Sequence, residues 1–302
     1  MAVIPSGVEN GGAWEAATWT GRPKAERVGS ERIKSLDASE GARDVSTSLD
    51  MTTRLFAALL VYHDDTPHSA AMNMSIDEAL LEHAAVPSIR FYQWHSPALS
   101  FGYFGKFADV ASYAGERHLV RRWTGGGIVL HGDDLTYSIV IPVGDAAFGE
   151  SSISIYEKIH HALSHAFIAN GARAELVSVA ALCERQEARK GDLQIAPAVG
   201  NRRSLSSAVA DRRYSDCFAN PVRADVIIAG RKVAGAVQRR TRSGLLQQGS
   251  IQGVDLGNGL AQRFAKALSA NCSERKINEE ILNRARELAQ RKYGADSWLR
   301  KR

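Results

Sequence analysis

The sequence of 302 residues has only three cysteines, Cys183, Cys217 and Cys272, and no CxxC pair. An odd number at wide spacing excludes a disulfide framework and a zinc knuckle, and it suits a reducing, cytoplasmic setting. Long apolar runs are missing too. The longest, LFAALLVY at 55 to 62, falls far short of the roughly 20 residues that span a bilayer. The first fifty residues are rich in Gly, Ser, Glu and Arg and hold no apolar stretch of the signal-peptide kind. We therefore expect no membrane span, a disordered or weakly ordered extension over 1–50, and a folded part beginning near Met51. The absence of GxxxxGK[ST], of GxGxxG after a strand and of HExxH removes the common nucleotide-loop and zinc-protease signatures.

What remains is the composition of an ordinary folded protein, 44% apolar and 24% charged, with a net charge of +5. The basic excess fits nucleic acid or an acidic protein equally well. No aromatic residues interleave the basic cluster at 185–213 or the QRRTRSG turn, so a solvated loop or a docking patch for an acidic protein is the better reading there, with no nucleic-acid partner. A buried strand is expected over 54–62. An amphipathic helix follows over 73–84, with Asn73 as its N-cap. Strands are expected at 89–94, 99–104, 118–123, 127–131 and 135–143, a helix at 152–170 ending before Gly171, and a strand at RAELVSV. Residues 181–215 read as an unusually long loop. DVIIAG, KVAGAVQRR and GLLQQGSIQ read as strands, the first two joined by a tight AGRK turn, and a last helical pattern runs over 274–293 to Gly294. Strands mixed with a few helices, without regular βαβ alternation, predict an α+β fold of mostly antiparallel, mixed sheets flanked by helices.

Two stretches carry chemistry. In RRWTGGGIVLHGDDLTYS (121–138), three consecutive glycines exceed what a hairpin needs. They point either to a flexible turn or to a loop whose N–H groups line a site, with Arg121, Arg122 and His131 at its flanks and Gly125, Gly126 and Gly127 as its backbone. In SDCFANPVRADVIIAGRKVAGAVQRR (215–240), a thiol stands fifteen residues before a lysine. Cys217 with Lys232 is either a nucleophile with the cation that lowers its pKa, or a buried thiol and a solvated charge. Glycines around Lys232, Gly235 among them, leave room for a ligand. His161 and His165 have metal-ligand spacing, but without an acidic partner a solvated face is the reading, and no metal site is expected. Cys183 and Cys272 are given no role.

The blocks AAMNMSIDEALL, IRFYQWHSPALSFGYFGK, RRWTGGGIVLHGDDLTYSIVIP, CFANPVRADVIIAGRKVAGAVQRR and LLQQGSIQ resemble, in order and spacing, the lipoate-protein ligase and octanoyltransferase family, whose catalytic domain is shared with biotin protein ligases. The resemblance covers residue 60 to the end. It implies that fold, a catalytic domain over 51–255 and a short helical segment packed on it over 256–302. CFANP is similar to the block of the cysteine-dependent, Gram-positive-type octanoyltransferases. That implies Cys217 as nucleophile, Lys232 as the essential lysine, and Arg121 to Gly127 with His131 as the acyl-binding loop. Trp123 in place of a frequent Pro, and GAVQ in place of GSAQ, depart from the pattern and bear on substrate preference.

The implied reaction moves an octanoyl group from acyl carrier protein through a cysteine thioester to a lysine of lipoyl domains or of the glycine cleavage H protein. It needs no cofactor, and a cytoplasmic monomer is expected. An ATP-dependent lipoate ligase, which would need ATP and Mg, a lipoyl amidotransferase between carrier proteins, and a non-catalytic acyl sensor stay open.

Overall fold

The architecture, described in a computed structural model for residues 54–182, 218 and 221–301, is built around a mixed sheet of eight strands. In chain order the strands are β1 (Leu59–His68), β2 (Ser88–Trp94), β3 (Ala98–Phe101), β4 (His118–Arg121), β5 (Ile128–His131), β6 (Leu135–Pro142), β7 (Ala174–Leu176), β8 (Val226–Ile228), β9 (Arg231–Arg240), β10 (Gly244–Ile251) and β11 (Cys272–Arg275). The helices are α1 (Ala70–His83), α2 (Ser152–Ile168), α3 (Leu260–Leu268), α4 (Glu279–Leu288) and the short α5 (Asp296–Leu299). The large sheet runs β11-β1-β2-β6-β10-β9-β8-β7, and β4-β3-β5 forms a second, three-stranded sheet. Among the described residues, only β11-β1, β1-β2 and β3-β4 are parallel. The α+β class and its mostly antiparallel, mixed sheets are as the sequence predicts.

Period-two alternation sends β6 and β10 to both faces of the large sheet. Tyr137, Ile139, Ile141 and Leu245 join Ile159, Leu163 and Phe167 of α2 and Phe264 of α3 on one face. Val140 and Leu246 join Met74 and Leu80 of α1 and Ile281 and Leu288 of α4 on the other. Each fully buried side chain of this size contributes about 1.5–3 kcal/mol.

The turn between β8 and β9 places Ala229 and Gly230 at φ 50° and 74°. Two consecutive positive φ values define a two-residue turn whose twist matches that of the flanking strands, as AGRK predicts. It brings Lys232 into register opposite Ile227.

Several elements depart from expectation. The first strand begins at Leu59 and continues through polar residues to His68, flanked on both sides only over 60–62 and paired beyond that with β2 alone, with a register shift between Asp64 and His68. Helix α1 starts at Ala70, with Ser69 as its cap, its hydroxyl accepting from Met72 N at 3.3 Å. Asn73 lies inside the helix, where its amide donates to Gln93 O and its side-chain oxygen accepts from Arg90. Nor is α1 amphipathic. Ten of its fourteen residues are buried, Asp77 and Glu78 among them, since α4 and the tail cover the side that would face water. Asp77 is held by Arg90 at 2.8 Å and Glu78 by Lys292 at 2.6 Å. Helix α3 and strand β11 are absent from the sequence reading, and the last helix begins at Glu279, capped by Asn278, instead of 274. Residues 256–301 thus supply an edge strand as well as helices. The extension 1–50, most of the loop 181–215, Cys183 and Cys217 lie outside the described residues.

Candidate active site

A cavity of about 270 Å³ opens between β5, β6, β9, β10 and the loop that joins β4 to β5. Its apolar wall includes Met74, Trp94, Val129, Phe218, Val222 and Val237. The glycine loop forms one rim through Gly126 and Gly127. Gly126 sits at φ 84°, and a Cβ there would run into Val237 Cγ1, so both backbone conformation and space require glycine. Gly102 on the facing segment is equally constrained, because a Cβ there would collide with the carbonyl of Gly126.

The loop is held from beneath. Arg122 donates from Nη1 to Ser100 Oγ at 2.6 Å, and from Nη2 to the carbonyls of Gly127 at 2.8 Å and Gly125 at 3.1 Å. Ser100 donates to His131 Nε2 at 2.7 Å, and His131 Nδ1–H donates to Asp134 Oδ2 at 2.8 Å. Thr136 and Ser250 donate to the same carboxylate, while Trp94 stacks on the imidazole with centroids 3.9 Å apart. The order serine, histidine, aspartate resembles a hydrolase triad, but the serine oxygen already receives the Arg122 guanidinium, and all three side chains are buried. The chain fixes loop geometry in place of presenting a nucleophile. Burial pushes the His131 pKa below its usual value despite the Asp134 hydrogen bond, which keeps the ring neutral and able to accept from Ser100. Burial alone would raise Asp134, but the His131, Ser250 and Gly132 donors outweigh it and hold the carboxyl below its usual range.

At the opposite wall Lys232, 6% exposed, donates to Asp225 Oδ2 at 2.8 Å, and Asp225 is fully buried. Asp225 also accepts from Tyr156 OH at 2.6 Å and from Val222 N at 2.6 Å. Burial and the Asp225 charge push the Tyr156 phenol far above its usual pKa, so it remains the donor. The ammonium lies 5.4 Å from the centroid of the Phe218 ring. Gly235 makes this placement possible, because a Cβ there would stand 2.5 Å from Lys232 Cε and 2.6 Å from Nζ. Gly235→Ala is therefore expected to displace the ammonium and slow any reaction that depends on it by about ten- to a hundredfold. The overpacking cost should stay within about 1–3 kcal/mol. A transfer assay beside a urea titration checks this, and a wild-type rate would show that the lysine tolerates the shift.

Of the residues singled out in the sequence, Arg122, Gly126, Gly127, His131, Lys232 and Gly235 border one cavity. Gly125 touches it only through its carbonyl on Arg122. Arg121 points elsewhere. Its guanidinium donates to the carbonyls of Tyr103, Gly105, Leu299 and Lys301, which ties the C-terminal tail to the segment after β3. Cys217 lies outside the described residues, whereas Phe218, the next residue in sequence, lines the cavity. His161 and His165 are exposed and meet edge to face, with ring centroids 6.4 Å apart. Ser100, Asp134, Tyr156 and Asp225 carry no motif that marks them in the sequence. Only Asp134, three residues after His131, carried a local hint.

The site is thus a mainly apolar cavity with a glycine rim at one side and a buried lysine on a hairpin at the other. Residues 69–290 match the lipoyl protein ligase A/B catalytic domain, and the chain belongs to that family. Among its relatives is octanoyltransferase LipM of Geobacillus kaustophilus, 35% identical over 213 residues, which are 68% of this chain and 69% of that protein. Octanoyltransferase LipM of Oceanobacillus iheyensis is 33% identical over 196 residues, 62% of each chain. The match thus spans about 62% of the length of that relative and of the Brevibacillus brevis octanoyltransferase LipM. The fold is that of lipoate-protein ligase A solved with ATP, at TM-score 0.56 and 20% identity over 81% of this chain and 98% of that one. It is also that of a bipartite lipoate protein ligase from Thermoplasma acidophilum, at 0.51 and 20% over 80% and 95%. No helix among the described residues is long and apolar enough to cross a membrane.

Proposed function

We propose that the protein is an octanoyltransferase of lipoate assembly that works through a thioester on Cys217. The observation that carries this reading is the apolar cavity bordered at one wall by Lys232 and by Phe218, the residue after the cysteine of the CFANP block. An apolar cavity of 150 Å³ takes up benzene, so 270 Å³ has room for roughly ten non-hydrogen atoms. An octanoyl group has nine. Burying its methylenes at about 0.8 kcal/mol each supplies several kcal/mol of binding.

In the first step the Cys217 sulfur attacks the carbonyl carbon of an octanoyl thioester on acyl carrier protein. The new carbon–sulfur bond forms, the bond to the carrier sulfur breaks, and the proton that leaves Cys217 ends on the carrier thiol. Lys232, held by Asp225, stabilises the thiolate, and the glycine rim offers N–H groups to the developing oxyanion. In the second step the ε-amine of a lipoyl domain or of glycine cleavage H protein attacks the acyl carbon; the carbon–nitrogen bond forms as the bond to Cys217 breaks, one amine proton ends on the Cys217 sulfur, and the amide is more stable than the thioester it replaces. Exchange of one thioester for another is nearly isoenergetic, so this route calls for no ATP. The carrier proteins are acidic and the chain carries +5, which favours encounter.

The test is the intact mass of the protein after brief incubation with octanoyl-acyl carrier protein without ATP, beside Cys217→Ala. A gain of one octanoyl group, lost in the variant, is expected. Lipoylation only on addition of lipoate and ATP, and equally well by the variant, would make the protein a ligase.

A further inference from the structure

Lys232 and Phe218 border a second space as well as the acyl cavity. This is an open cleft of about 330 Å³, completed by Pro221, Gly230, Arg231, Gln252 and Gly253. The first cavity presents mainly apolar surface, from valine, methionine and tryptophan, although Arg122, His131 and Gln248 also line it, whereas this cleft presents mainly polar surface, from an exposed guanidinium, a carboxamide and the peptide groups of two glycines. The Gln252 amide nitrogen donates to Leu130 O at 2.8 Å and to Ser250 Oγ at 2.9 Å, which fixes the plane of that amide. Arg231 stands at the tip of the β8–β9 hairpin, exposed, with its guanidinium beside Gly253.

We propose that this cleft receives the carrying arm of the acyl donor, a pantetheine-type chain of amides ending in a phosphate ester, and that Arg231 meets the phosphate. The proposal rests on reading the protein as an acyl-thioester transferase. A thioester extends in two directions from its reacting carbon. The apolar cavity accepts the hydrocarbon side, so the other side has to leave through a space that adjoins the same lysine, and the cleft shares both Lys232 and Phe218 with the cavity. Polarity agrees, because the arm carries two amides that lose little among carboxamide and peptide groups, whereas an alkyl chain would gain little there. Charge selects the donor over the acceptor. An incoming lysine ammonium would meet two like charges at Arg231 and Lys232, while a phosphate meets a guanidinium built to pair with it.

Thioethers cannot acylate the protein, so they separate this proposal from the thioester mechanism. The experiment compares equilibrium binding of S-octyl-4′-phosphopantetheine with S-octylpantetheine, on the full chain and on its Arg231→Ala and Arg231→Lys variants. The phosphorylated probe should bind wild type about tenfold tighter than the other. That ratio should fall to near one in Arg231→Ala and recover in part in Arg231→Lys. S-octyl coenzyme A and S-octyl acyl carrier protein, tested alongside, tell a nucleotide source of the arm from a protein source, and either agrees with the proposal if its binding also depends on Arg231. A ratio near one in wild type, or one undiminished in Arg231→Ala, overturns it. A preserved phosphate preference in a protein that never forms an octanoyl adduct would overturn the transferase reading alone.

Discussion

Lys232→Met is expected to lower acyl transfer by about 10²–10⁴, the range for loss of a group that moves protons or steadies charge in the transition state. It should also destabilise the fold by about 3–5 kcal/mol, because Asp225 is fully buried and would lose the cation that pairs with it. The two effects separate in a double-mutant cycle. Asp225→Asn alone leaves the ammonium without its carboxylate, and Lys232→Met with Asp225→Asn leaves neither charge, so the double variant should regain more than half of the lost stability and none of the activity. Urea titrations of the four proteins, with transfer rates on the same samples, check this. Additive stability losses would mean that the pair is not coupled, and an active Lys232→Met would remove the lysine from the chemistry.

The Lys232 environment also shows where a sequence stops being informative. Lys232 itself was legible, since the AGRK turn and its flanking strands are local features that need no partner to be recognised. Its carboxylate was not, although Asp225 is only seven residues away, because nothing in RADVII says which aspartate turns inward. Tyr156 was less legible still, on a helix 69 residues before Asp225. Arg121 and Arg122 illustrate the same limit. Neighbours at the end of a strand point to opposite sides, so one reaches the glycine loop and the other the tail, and the pair looks identical in sequence. Strands β2, β3, β5, β6 and the β8–β10 meander are bounded by turn residues, and α2 has both a serine cap and a terminal glycine. Helix α3 follows Gly259 at φ 77° with no side-chain cap, and β11 is a polar edge strand defined by its parallel pairing with β1, so neither leaves a local signature. An asparagine ahead of an apolar run predicts a cap at Asn73. Its burial against Arg90 is a tertiary event.

Acid should unfold the protein earlier than its surface charges would suggest, and His160 is the main reason. It is fully buried on α2, donates from Nδ1 to Ala224 O at 2.7 Å and accepts at Nε2 from Tyr137 OH at 3.0 Å. Burial pushes the Tyr137 pKa up, so the phenol stays the donor in that bond. Burial pushes the His160 pKa down to about 4; Asp225 and the Ala224 carbonyl oppose the shift, while Lys232 and His161 add to it. Between that value and the roughly 6.5 of an unfolded histidine, the unfolded chain binds a proton that the folded one refuses. The stability from this residue is therefore fully present above about pH 6.5 and is lost as pH falls toward 4, a total of about 3 kcal/mol at 1.36 kcal/mol per unit. His131, also depressed by burial, loses stability in the same direction. Asp134, held below its ordinary value, adds a further loss only at lower pH, as the medium falls through its folded pKa. Urea midpoints for wild type and His160→Gln across pH 7.5 to 4.5 separate these contributions. The variant should be weaker at pH 7.5 and show a shallower decline below 6.5, because the neutral amide has no proton to gain. Parallel curves would place the acid sensitivity in other groups. Since His160 reaches Ala224, next to the carboxylate that holds Lys232, the same titration should carry activity down with stability, and octanoyl-adduct formation measured at matched pH would show the two falling together.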